Sequence, residues 1–70
     1  MRIRLNDPGL VPDLRHHFER SGFATDQVCD ETIEVRRPDA PDKAQARREI
    51  ELHLAVWQAM HAEAGAELMQ

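Results

Sequence analysis

Residues Phe23 to Arg36, FATDQVCDETIEVR, decide the fold. From Thr32 onward polar and apolar residues alternate, so Ile33 and Val35 share one face of a strand while Thr32, Glu34 and Arg36 share the other. Cys29, Asp30 and Glu31 break the run at its midpoint and suit a hairpin tip, which makes Phe23 to Val28 the partner strand. Ala24 and Val28 are the expected inward counterparts of Ile33 and Val35, although that register also turns Asp26 inward. A core position for Phe23 reverses the assignment.

Toward the amino terminus, Arg2, Ile3, Arg4 and Leu5 alternate in the same way, with Ile3 and Leu5 inward. Asn6, Asp7, Pro8 and Gly9 stop that strand with four turn-forming residues. Leu10, Val11, Leu14, Phe18 and Ser21 recur at helical spacing. Pro12 is tolerated only near the helix start, and Gly22 supplies a left-handed residue to end it.

Toward the carboxyl terminus, Pro38, Asp39, Ala40, Pro41 and Asp42 form a hinge, from which Asp39 or Asp42 caps a second helix. That helix is expected from about Asp42 to Ala64, ending at Gly65. Ala46, Ile50, His53, Trp57, Met60 and Ala64 line one side of it, and Leu52, Leu54, Val56 and Ala59 widen the apolar arc beyond the need of one sheet face. A helix of about 20 residues spans about 30 Å and overhangs strands of about 17 Å. Ala66 to Met69 is short enough for an edge strand or a frayed tail.

The order strand, helix, two strands, helix, strand defines a single α+β domain over residues 1–70. By element order alone it resembles a ferredoxin-like βαββαβ two-layer sandwich, with two helices on one face of an antiparallel sheet. Such a fold hosts many unrelated activities, so function has to come from a site.

Seventy residues bury only about 60% of their unfolded surface, and a core of this size supplies about 3–5 kcal/mol without help. A single cysteine, Cys29, forms no internal disulfide and no thiolate-pair metal site, which leaves self-association as the expected helper. Thirteen acidic residues against nine basic ones give a net charge of −4, which disfavours general nucleic-acid binding. The outward strand positions Arg2, Arg4, Thr32, Glu34 and Arg36 offer no aromatic platform for RNA bases. The opening Met-Arg-Ile-Arg-Leu lacks the apolar core of a signal peptide and no run is long enough to span a bilayer, so the expected address is the cytoplasm and no membrane partner is expected.

Four groups of residues carry the candidate chemistry. Arg36 and Arg37, with Arg47 and Arg48, bracket the hinge and could bind an anion or nucleotide beside a helix N-terminus, where Asp39 and Asp42 compete. Pairing of these arginines with Glu34, Glu49 and Glu51 is the plainer expectation. Leu52, Val56, Trp57 and Met60 form a candidate interface, although the favoured role of Trp57 is to anchor the core, and a subunit interface would bury it equally well. His53 and His61 lie eight residues apart, about 12 Å along a helix, too far to share a metal, and His16 and His17 point to different sides of theirs. His53 is expected in the helix interface and His61 near the wet end. Cys29 beside Asp30 and Glu31 should have a raised thiol pKa and be inert. These features suggest a small non-enzymatic module without cofactor or metal, acting as a homo-oligomer or with a small protein partner, or sensing a small ligand. An anion or nucleotide binder is the alternative.

Overall fold

The chain is described by a computed structural model over residues 1–38 and 42–69. It forms β1 (Arg2–Leu5), α1 (Val11–Arg20), β2 (Ala24–Cys29), β3 (Thr32–Arg36), α2 (Lys43–Met60) and β4 (Ala66–Met69). The strands make one antiparallel sheet in the order β2-β3-β1-β4. Ala66 to Met69 is therefore an edge strand paired with β1. Among the described residues no helix is long and apolar enough to cross a membrane.

Register follows from the alternation of side chains. Ile3 lies opposite Ile33 on one side and Leu68 on the other, Leu5 opposite Ala66, and Val35 opposite Thr25. These residues face the helices, where Ile3, Leu5, Ile33 and Val35 pack with Val11, Leu14 and Phe18 of α1 and Ile50, Leu54 and Trp57 of α2 in one core. The other sheet face is polar. There Arg36 pairs with Asp26 at 2.6 Å, and Arg2 with Glu34 at 3.5 Å.

The β2 register corrects one expectation. Phe23 and Thr25 are the buried residues, at 4% and 9% exposure, whereas Val28 is 43% exposed and Ala24 half-buried. An inward Ala24 would have carried Asp26 into the core without a partner. With Phe23 and Thr25 inward, alternation puts Val28 on the outer face, and a bulge between Gln27 and Cys29 closes the strand.

The junction from α1 to β2 is a Schellman motif. Gly22, at φ 92°, takes the left-handed conformation. The Phe23 N–H donates to the Phe18 carbonyl at 3.0 Å and the Gly22 N–H to the Glu19 carbonyl at 3.2 Å. The Phe18 and Phe23 rings meet edge-on at 5.3 Å, the apolar contact that accompanies this motif. At the helix start, Pro12 occupies the first turn, after a 3-10 turn over Pro8–Leu10 that the Asp7 side chain caps.

Asp42 caps α2 by accepting from the Gln45 N–H at 2.7 Å, while Asp39 lies outside the described residues. The helix stops at Met60 rather than at Ala64. His61 closes its end, its N–H donating to the Trp57 and Gln58 carbonyls, and the Gln58 side-chain amide reaches the Ala64 carbonyl at 2.9 Å. Gly65 serves a different purpose from the expected helix stop. Its N–H donates to Asn6 Oδ1 at 2.8 Å and its carbonyl accepts from the Asn6 N–H at 2.9 Å, so close that a Cβ would sit 2.9 Å from Asn6 Nδ2.

Candidate functional site

The four arginines do not converge. Arg36 points to the open sheet face and Asp26, while Arg37 points to the helix side, where it pairs with Glu49 and lies 5.4 Å over the Phe23 ring. Arg47 pairs with Glu51 at 2.7 Å along α2. Arg48 is exposed and makes no ion pair among the described residues. Successive residues project about 100° apart on a helix, so Arg47 and Arg48 diverge. A groove of about 390 Å³ does lie between β3 and the start of α2, lined by Met1, Val35, Ala46 and Ile50 with Arg36, Arg37 and Lys43, although the Arg36 guanidinium is turned away to Asp26. Arg47 and Arg48 are outside it.

The seam between α1 and α2 collects polar groups that sequence reasoning did not bring together. The Trp57 Nε1–H donates to Asp13 Oδ2 at 2.8 Å, and His61 Nε2 lies 3.2 Å from the same oxygen. The His61 ring stacks on the indole at 4.3 Å. One turn further along, His17 and His53 meet at 5.6 Å between centroids, and His53 also contacts the Phe18 and Phe23 rings. Burial, followed by the nearby His53, holds the His17 imidazole below its ordinary pKa. Arg20 and His61 add to that lowering, while Asp13 opposes it. His17 Nε2 is buried without a hydrogen-bond partner. The i,i+4 spacing of Asp13 and His17 was the one available signal, since it puts both on one face of α1.

Ile50, Leu54 and Trp57 turn toward the core, which leaves the far side of α2 to Leu52, Val56 and Met60. Their i, i+4, i+8 spacing makes one continuous ridge centred about 120° around the helix from the core face. Leu52 and Met60 are each 63% exposed and Val56 47%. Trp57, grouped with them by sequence, is 1% exposed and belongs to the chain's own core. The ridge runs on at one end to Arg48. At the other it meets a groove of about 400 Å³ between α2 and the start of α1, lined by Leu10, Met60, His61 and Ala64 and by the acidic residues Asp7 and Glu63. Periodicity could show the ridge but not the groove, whose residues are about fifty positions apart.

Cys29 departs from expectation. A hydrogen bond with the Thr32 hydroxyl, aided by the Glu31 backbone, lowers its thiol pKa and outweighs the charge of Glu31. Among the described residues no group of three or more His, Cys, Asp or Glu side chains is placed to hold a metal ion. Comparison with protein-family models, with curated proteins and with solved structures yields no match.

Proposed function

We propose that this chain is a small, non-enzymatic protein-interaction module that self-associates through the outer face of α2. The observation that carries the proposal is the exposed ridge of Leu52, Val56 and Met60. Three large apolar side chains in one row are a self-complementary surface, because a row with equal spacing superposes on itself when turned end for end about Val56. A twofold, isologous contact follows. The gain matters to a chain of this size, whose isolated core leaves a thin margin of stability.

The strand order β2-β3-β1-β4, with its two helices on one face, supports a ferredoxin-like arrangement as the scaffold. The remaining chemistry supports a non-catalytic reading: His61 is engaged with Asp13 and Trp57. An exposed, unpaired thiol also suits the cytoplasm.

Three side chains alone fall short of the roughly 800 Å² per partner buried in a stable interface, so the expected dissociation constant is micromolar, about −8 kcal/mol. Sedimentation equilibrium from low micromolar to submillimolar concentration tests this. A reversible dimer that Val56→Glu abolishes without changing the circular dichroism spectrum supports the role. An 8.0 kDa monomer throughout contradicts it.

The groove beside Arg37 and Lys43 favours a second reading, the binding of a small anion with an apolar portion. It ranks below the first because the Arg36 guanidinium is turned to Asp26 on the other sheet face and a ligand would compete with Glu49 for Arg37. Amide shifts of Val35 to Arg37 on adding inorganic phosphate or a short-chain acyl phosphate would support it. Unchanged shifts at millimolar ligand would remove it.

A further inference from the structure

We infer that the second copy docks antiparallel on α2, with its Arg48 seated in the groove that Asp7, Leu10, Met60 and Glu63 line. This rests on the docking role proposed above and specifies its geometry.

Two features bear on the arrangement, and the second selects the antiparallel one. The first is the ridge itself. Leu52, Val56 and Met60 follow an i±4n row, and two such rows interdigitate when the helix axes cross at about −50°. A twofold axis through Val56 then sets Leu52 of each copy against Met60 of the other. Continuing along the row, Arg48 lies about 12 Å from the axis, beyond Met60 of the opposite copy, which ends its helix and lines the groove.

The second feature is charge. Arg48 and Glu63 are both exposed, and neither makes an ion pair among the described residues. Asp7 lines the same groove as Glu63, and its Oδ1 already accepts from the Gly9 N–H at 2.9 Å. The ridge therefore ends on one side in a cation and on the other in a groove whose lining includes two acidic residues beside Leu10, Met60 and His61. An arginine fits such a groove in both parts, its methylene stem on Leu10 and Met60 and its guanidinium at the acidic residues. A parallel pairing would stack Arg48 on Arg48 and the two acidic grooves on each other. Like-charge juxtaposition of that kind is strongly disfavoured at interfaces.

Charge reversal in the full chain separates this geometry from the docking role and from general charge effects. Arg48→Glu makes the chain more acidic than its net charge of −4, and Glu63→Arg makes it less acidic. Bulk repulsion would then weaken association in the first variant and strengthen it in the second. Antiparallel docking predicts weakening in both, by about tenfold, because each contact occurs twice per dimer. The double variant should return to within about threefold of the parent. Sedimentation equilibrium at low salt reads all four proteins, with circular dichroism confirming the fold. A dimer whose affinity ignores both reversals, or tightens with Glu63→Arg, overturns the inference and leaves the docking role standing. A parent chain that stays monomeric overturns both.

Discussion

The indole N–H of Trp57 donates to Asp13 Oδ2 at 2.8 Å, joining the two helices across 44 residues of sequence. Trp57 fills the core with its ring and leaves its one polar atom facing α1, where a carboxylate meets it. His61 closes the same oxygen from the helix end. This latch fixes which side of α2 faces inward and, with it, which side carries Leu52, Val56 and Met60.

Asp13→Ala should therefore destabilise the fold although the side chain is half exposed. A hydrogen bond to a charged group contributes about 1.5–3 kcal/mol, and solvent screening reduces that here to about 1 kcal/mol. For a domain of this size the thermal midpoint should fall by about 4–8 °C. Trp57 fluorescence followed through the transition measures it, and an unchanged midpoint would mean that the latch contributes nothing.

Acidification should weaken the same seam through His17. Its folded-state pKa lies below the ordinary 6.5, chiefly through burial and then through His53. The unfolded chain therefore takes up the proton more readily, so stability is complete above pH 6.5 and declines as the pH falls below it. Glu34 acts in a lower window. A hydrogen bond from the amino-terminal ammonium holds its carboxyl below the ordinary 4.5, so its contribution persists above that value and is lost on further acidification. Urea midpoints should be lower at pH 5 than at pH 8, with a smaller difference in His17→Gln. A higher midpoint at pH 5 would contradict this assignment.

Substitution in β2 separates the observed register from the one that hydrophobicity suggests. The Thr25 hydroxyl donates to Glu19 Oε2 at 2.6 Å and accepts from Arg15 Nε at 3.1 Å, tying the strand to α1. Thr25→Ala should cost about 1–2 kcal/mol. Val28→Ala, although it removes the larger apolar group, should stay within about 0.5 kcal/mol because that side chain faces solvent. Chemical denaturation of the two variants decides, and the reverse order would point to a shifted hairpin.

Much of this architecture was legible because local signals agreed with one another. Ile3, Leu5, Ile33 and Val35 alternate cleanly, Gly22 marks a helix end, and Asp42 caps the next helix start. What escaped was non-local. The β2 alternation reads in either register, and what settles it is non-local: Thr25 pairs with the inward Val35 and Phe23 packs in the core. Gly65 looked like a helix stop but serves the close approach of Asn6, 59 residues away. The candidate site divided in the same way: the ridge is periodic and visible, whereas the groove at its end needs the start of α1 folded against the end of α2. Basic residues adjacent in sequence were a poor guide, since Arg36 and Arg37 lie on opposite faces of one strand end.

The docking of α2 on a second copy is tested most directly by nuclear Overhauser contacts in a mixture of isotope-labelled and unlabelled chains. Leu52 and Met60 are separated by about 12 Å along one helix, so a close contact between their methyl groups arises only between copies. Cross-peaks linking Leu52 of one chain to Met60 of the other, and Val56 to Val56, are the predicted result. Their absence at millimolar concentration, with the fold intact, would contradict the assignment of this face to self-association.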